Sequence, residues 1–133
     1  MLFRSSQLVR DCLAADSFLA AFDEQLAALE QDEWLQAAAE TYRAGSPTTA
    51  AIFIEQMRRA QGMSLADMFR LELVIACQCA RHEEFTEGVR ALLVDKDRNP
   101  AWHYRDHRDM PAAYLASFFE PPWHGPHPLA DLG

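Results

Sequence analysis

The sequence predicts an all-α protein with about six to seven helices. Apolar residues recur at intervals of three or four positions, as Phe18, Phe22 and Leu26 do. Residues typical of helix starts and glycines typical of helix ends bound these segments. No stretch combines β-branched residues with strict alternation, so we expect no sheet. The 133 residues suffice for one domain with one hydrophobic core.

The first four predicted helices follow one another with short breaks. A short first helix covers residues 6–16, and Ser17 caps the second. Residues 32–45 form the third helix, which has acidic side chains in its first turn and a glycine at its end. Ser46 caps the fourth, and Pro47 occupies the first helical position, where a missing N–H costs nothing.

Three further helices are predicted from the same signals. Ser64 starts a fifth helix that runs to about Arg81, a sixth runs from about Glu84 to Val94, and Asp109 caps a short seventh. The residues expected to face inward are Phe53, Met57 and Ala60 in the fourth helix, Leu65, Met68, Glu72, Ile75 and Cys79 in the fifth, and Phe85, Val89, Leu92 and Leu93 in the sixth.

The chain end differs in composition from the rest. We predict a helical domain over residues 1–120 and a tail over residues 121–133, which holds four of the seven prolines. The stretch from Asp97 to Asp109 has no steady period and is predicted to be a loop. We expect the tail to be extended or disordered.

The net charge of -8 is concentrated in the first third of the chain. Eight acidic residues and no lysine or arginine lie between Asp11 and Tyr42. Nucleic acid is therefore an unfavoured partner, because phosphate binding needs a basic face. No apolar run is long enough to span a membrane, and the N-terminus lacks a signal-peptide pattern. We expect a cytoplasmic protein with no membrane contact.

One pair of histidines has a spacing that is typical of zinc sites. His103 and His107 have a zinc-like separation, but their flanks predict a loop, and His124 and His127 lie in the tail. We expect surface histidines and no metal.

The odd number of cysteines does not form a disulfide framework, and reduced, partly buried thiols are predicted.

Glu72 is a single carboxylate on an otherwise apolar stripe. It could act as a general base with a raised pKa. Paired burial is the commoner reason for an inner carboxylate, and Arg90 is the candidate partner. We therefore predict a structural buried acid pair between Glu72 and Arg90. No catalytic residue is assigned.

Three phrases occur in order: SPTTAAIFIEQMR, SLADMFRLELVIA and EEFTEGVRALLVDKDRNPAW. Together they resemble the C-terminal helical region of the 3-hydroxyisobutyryl-CoA hydrolases, which belong to the crotonase, or enoyl-CoA hydratase/isomerase, superfamily. The third phrase is the most specific, and Glu84 departs from it by standing where the family usually has aspartate. The matching positions are Phe85, Glu87 to Ala91, Leu93, Asp95 to Asp97, Pro100 and Trp102.

The resemblance implies a part of an enzyme rather than a whole one. In that family an N-terminal core of stacked ββα units performs catalysis with a backbone oxyanion hole. These 133 residues contain none of its glycine-rich segments or strands. The chain thus looks like a crotonase-like helical part without its ββα core, inactive alone and with no cofactor of its own. The parent would hydrolyse a coenzyme A thioester in valine breakdown.

The resemblance also implies a role near the CoA nucleotide. Leu93 and Lys96, the only lysine, are the candidate CoA-binding residues, in the context of the full-length parent. Alternatively, Lys96 caps its helix and pairs with Asp95 or Asp97. Helices that evolved to cover a body keep an apolar face, so we expect a homo-oligomer, most simply a C2 dimer, through the fourth to sixth helices.

Two other functions stay open from the sequence. The parent could hydrate or isomerise an enoyl-CoA, because the acyl pocket lies in the part that is missing here. A stand-alone helical interaction module is the third reading, with the acidic first third as its partner surface.

Overall fold

A computed structural model describes residues 7, 10–12, 14 and 17–133 of the chain. These residues are mostly helical and include no strand, which confirms the all-α prediction. Most of the predicted first helix, residues 6–16, lies outside the described residues. Every helix among the described residues is too short or too polar to cross a membrane.

The described helices divide between two units, the first ending at Ser46 and the second beginning at Pro47. The helices are α1 (Phe18–Glu30), α2 (Glu33–Ala44), α3 (Pro47–Ala60), α4 (Leu65–Arg81), α5 (Glu83–Val89) and α6 (Ala112–Ser117). A π-helical turn (Arg90–Val94) follows α5, and a 3-10 turn (His107–Asp109) precedes α6.

Several helix boundaries are where the sequence places them. The Ser64 hydroxyl accepts the Asp67 N–H at 3.2 Å, which is the predicted cap of α4. Gly62 ends the preceding segment with a left-handed φ of 81°. The cap predicted at Asp109 is wrong, because Pro111 is the residue that precedes α6.

The first unit is held by contacts between α1 and α2. Leu26 and Ala39 are buried together, and the rings of Phe22 and Tyr42 meet edge to face at 4.9 Å. The Tyr42 hydroxyl donates to the Asp23 carboxylate at 2.9 Å, so the polar end of that ring is satisfied.

The core of the second unit joins α3, α4 and the chain just after α6. Ile52 and Ile75 pack with Phe118 and Phe119, and Phe118 is only 1% exposed. The Arg59 guanidinium lies 4.2 Å from the centre of the Phe119 ring, a cation–π contact at the edge of this core.

The inward faces predicted for the second unit are wrong at most positions, although Ile75 of α4 is buried as predicted. In α3 the buried residues are Thr48, Ala51 and Ile52, whereas Phe53 and Met57 are 58% and 56% exposed. The same correction applies to other large side chains, Leu65, Phe85, Leu92 and Leu93, all exposed. Because Phe118 and Phe119, which follow α6, fill most of the core, the inner side of α3 is closed by smaller side chains.

The tail, expected to be extended or disordered, instead forms turns and docks on α4. Near one end of α4, Gln78 Nε2 donates to the Glu120 carbonyl at 2.6 Å, and Arg81 donates to the Pro122 carbonyl at 3.2 Å. Near the other end, the Arg70 guanidinium donates to the carbonyls of Leu129, Ala130 and Leu132. Side-chain donors of one helix thus bind a segment rich in proline, which has few N–H groups to offer.

Candidate functional site

The segment with the most specific sequence pattern begins where α5 widens into the π-helical turn. The Asp95 N–H donates to the Arg90 carbonyl at 2.8 Å, five positions back, in place of the usual four. The sequence predicts an ordinary helix through Val94, so the widened turn is a finding of the structure. Such turns are rare, and they occur often at functional sites.

Arg90 is the centre of this segment. Its Nε and Nη2 donate to the two carboxylate oxygens of Glu87 at 2.8 and 2.7 Å. Its Nη1 donates to Asp95 at 2.6 Å and to Asp97 at 2.7 Å. The second Nη2 proton reaches the Asn99 carbonyl at 3.2 Å. The five bonds match the five N–H groups of a guanidinium.

These bonds set the protonation of the carboxylates around Arg90. Hydrogen bonds from Arg90, helped by the Ala101 N–H, lower the pKa of Glu87 to about 2. The bond from Arg90 also lowers the pKa of Asp97. The same carboxylates raise the pKa of Arg90. Glu87 therefore stays ionised and is unsuited to act as a base near neutral pH.

After the loop of residues 95–99, which is called the Arg90 loop below, the chain returns to contact α5. The Ala101 N–H donates to Glu87 at 2.7 Å, and the His103 N–H donates to the buried Glu84 at 2.6 Å. The Trp102 ring lies over Gly88, where an added Cβ would sit 3.4 Å from its Cη2. The loop is therefore closed at both ends by the same helix.

Lys96 and Leu93, the predicted CoA-binding residues, lie on the outside of this loop. Lys96 and Arg98 both adopt left-handed backbone conformations, with φ of 56° and 54°. The Arg98 N–H closes the turn by donating to the Ala91 carbonyl at 3.0 Å. Leu93 is 62% exposed, and Lys96 is exposed as well.

The alternative prediction, that Lys96 pairs with a neighbouring aspartate, is wrong. Both aspartates are bonded to Arg90. Within the described part of the chain, no carboxylate pairs with the Lys96 ammonium. Its positive charge is thus directed to solvent.

The predicted buried pair between Glu72 and Arg90 is also wrong. Glu72 is exposed, and it accepts a long hydrogen bond of 3.4 Å from Gln56. All five Arg90 donors are used by its own loop and by Glu87. Glu72 does lie at helical spacing from the apolar residues of α4. That stripe is not buried along its whole length, however, because Leu65 also faces outward.

A cleft of about 380 Å³ lies beside the loop, lined by Glu83, Glu84, Thr86, Glu87, Ala101 and His103. Two of its carboxylates are committed, Glu87 to Arg90 and Glu84 to a backbone N–H. The sequence does not predict that Glu84 is buried. Glu84 lies in the first turn of α5, where the helix dipole by itself favours an acidic residue, so its presence there is no sign of burial.

An aromatic group packs on the inner side of the same region. The Tyr114 ring contacts His82, His103 and Tyr104 at centroid distances of 5.4, 5.5 and 5.0 Å. Burial is the main cause that raises the pKa of Tyr114, and the negative charge of Glu84 raises it further. The His103 ring therefore stacks on the Tyr114 ring and also contacts Tyr104.

The remaining candidates for chemistry are the thiols and the metal sites. The three cysteines are free, and burial raises the pKa of Cys79, which disfavours a reactive thiolate. Across the described ranges, no three histidine, cysteine or acidic side chains are grouped to hold a metal ion.

Replacing Arg90 by lysine should loosen the loop while keeping the charge. Lysine has three donors on one point and cannot bridge three carboxylates and a carbonyl. We expect amide hydrogen exchange over residues 95–99 to accelerate on the order of tenfold. Arg105→Lys is the matched control, since Arg105 is exposed, and should leave exchange unchanged. Equal exchange in both variants would contradict the central role of Arg90.

Acid should open the same loop. The pKa of Glu87 lies at about 2 in the folded chain, against an ordinary 4.5. A lowered carboxyl pKa contributes stability that is complete above pH 4.5 and is lost as the pH falls toward 2. The Trp102 indole signal in NMR spectra should shift across that window. In Glu87→Gln the shift should be smaller, and an unchanged shift would refute the assignment.

Comparison with known proteins gives the chain its relatives. A family model described as enoyl-CoA hydratase/isomerase matches residues 2–119. The mitochondrial 3-hydroxyisobutyryl-CoA hydrolase of Dictyostelium discoideum is 36% identical over 99 residues, which cover 74% of this chain and 26% of that protein. The 3-hydroxyisobutyryl-CoA hydrolase 1 of Arabidopsis thaliana is 32% identical over 100 residues, 73% of this chain and 26% of that protein.

A third relative, the mitochondrial 3-hydroxyisobutyryl-CoA hydrolase of Gallus gallus, is 36% identical over 76 residues, 57% of this chain and 20% of that protein. The chain thus spans about a quarter of the length of the first relatives it matches. The family match includes α3 to α6 and the whole Arg90 loop. With that match over most of its length, the chain belongs to the enoyl-CoA hydratase/isomerase family.

Proposed function

We propose that this chain is the non-catalytic, C-terminal helical part of an acyl-CoA enzyme that hydrolyses 3-hydroxyisobutyryl-CoA to the free hydroxy acid and CoA. The names of the curated relatives support this parent. In this role the helices cover a catalytic body, and the Arg90 loop presents side chains to the CoA nucleotide. The acyl chemistry belongs to the body.

The observation that carries the proposal is the exposure of large apolar side chains on the matched helices. Phe53 and Met57 lie one turn apart on α3, and Leu65 and Phe69 lie one turn apart on α4. Each is at least half exposed. Monomers rarely leave extensive apolar surface open to water. A covering role gives these side chains a partner surface.

The proposed contact with CoA rests on the geometry of the loop. Arg90 holds Asp95 and Asp97, so the adjacent ammonium of Lys96 is available to a phosphate. Leu93 is exposed in the π-helical turn just before it, where an apolar side chain can contact the adenine. The bonds from Arg90 to Asp95 and Asp97 hold the backbone that carries the two residues.

A chimera tests both parts of the proposal. This chain would replace the matching residues of the Dictyostelium relative, whose native form is the control. We expect the chimera to hydrolyse 3-hydroxyisobutyryl-CoA. Lys96→Asn in the chimera should raise KM about fivefold with kcat unchanged, because an exposed phosphate contact contributes uniform binding.

Arg98→Asn is the matched variant in that experiment. It removes the same charge from the same loop, and asparagine tolerates the left-handed backbone at both positions. We expect KM to stay near that of the unmodified chimera. A folded but inactive chimera would contradict the covering role, and equal KM values for both variants would contradict the specific contact of Lys96.

We also propose that the isolated chain associates with itself through the apolar faces of α3 to α5, most simply as a C2 dimer. Analytical ultracentrifugation at micromolar concentration should show the dimer. Met57→Glu should shift it toward monomer, because a carboxylate would be buried unpaired. Ala113→Glu adds the same charge on the exposed side of α6 and should leave the dimer intact. A wild-type chain that sediments only as a monomer would rule out the interface.

A further inference from the structure

The docked tail lies beyond the part of the chain that the family model matches. That match ends at residue 119, and the contacts of the tail with α4 begin at Glu120. Most of these contacts join side chains of α4 to main-chain carbonyls. One side chain of the tail, His127, adds a contact of a different kind.

His127 uses both of its ring nitrogens. Its Nδ1 accepts the N–H of Leu129 at 2.9 Å, and its Nε2 lies 3.0 Å from the Arg70 carbonyl. A nitrogen that accepts from a backbone N–H carries no proton, and a nitrogen facing a carbonyl must donate one. The docked tail therefore requires the neutral imidazole with its proton on Nε2.

From this geometry we infer that His127 is a pH-sensitive latch that fastens the tail to α4. Protonation of Nδ1 would set two donors, the ring N–H and the Leu129 N–H, against each other. The bond to Leu129 is then lost, and the turn that presents the Leu129 and Ala130 carbonyls to Arg70 loses its support. Acid thus releases the end of the tail and uncovers the Arg70 side of α4.

Charged groups on both packed elements bear on the latch. On α4, the Arg70 guanidinium donates to the Leu129 carbonyl at 3.0 Å, and Asp67 is paired to that guanidinium at 2.8 Å. In the tail, His124 and Asp131 are exposed, and the Trp123 ring meets the His127 ring edge to face at 4.9 Å.

The test follows the tail directly as the pH falls. Backbone NMR relaxation at Leu129, Ala130 and Leu132 should report a docked tail at pH 7.5 and a mobile one at pH 5, the range over which histidines commonly change charge. We expect the undocked population to rise on the order of tenfold, which corresponds to the loss of one hydrogen bond. A tail that stays docked at pH 5 would overturn the latch.

Two variants separate the latch from a general effect of acid. His127→Gln keeps one donor and one acceptor but does not titrate, so its tail should stay docked at both pH values. His124→Gln removes the other histidine of the tail and should behave as the wild type. Acid release that persists in His127→Gln would refute the proposal.

A third measurement does not depend on any variant. Long-range proton–nitrogen NMR spectra of the wild-type chain at pH 7.5 report which ring nitrogen of His127 carries the proton. We expect Nε2 to be protonated and Nδ1 to be bare. A proton on Nδ1 would contradict the latch, because Leu129 would then have no acceptor there.

Discussion

The hydrogen bonds of the Arg90 guanidinium hold together the segment after α5, which has the most specific sequence pattern in the chain. It joins the end of α5, the π-helical turn and the loop after it through bonds to Glu87, Asp95, Asp97 and the Asn99 carbonyl. Without that centre, three carboxylates gathered around one point would repel one another. The left-handed backbone of the loop is tolerated because these bonds fix it on both sides.

The same arrangement commits two of the carboxylates of this region to structural hydrogen bonds. Glu87 is held ionised by Arg90, and the buried Glu84 accepts a backbone N–H, so neither is available as a base. The residues of this region instead shape a surface of apolar side chains next to the exposed Lys96. Such a surface is suited to cover another domain and to contact a phosphate, which is the role proposed for it.

The pattern of the sequence identified the members of this centre but not their partners. Glu87, Arg90, Asp95 and Asp97 all match the family pattern, yet the sequence predicts Glu72 as the partner of Arg90. The apolar stripe that contains Glu72 predicts a partner on another helix, whereas every acceptor of Arg90 lies within nine positions of it in the chain. The opposite charges of Glu87 and Arg90, three positions apart on one helix, were the signal that could have found the pair.

Helix positions, the cap at Ser64 and the family were determined by the sequence alone, because helical period, capping and turn chemistry are local properties. The direction in which each helix faces was decided by the tertiary structure. Phe118 and Phe119 fill the core of the second unit from a distant part of the chain, so α3 turns Ala51 and Ile52 inward and leaves Phe53 outside. The docked tail depends likewise on donors of α4 about 50 positions away, which no local pattern reveals.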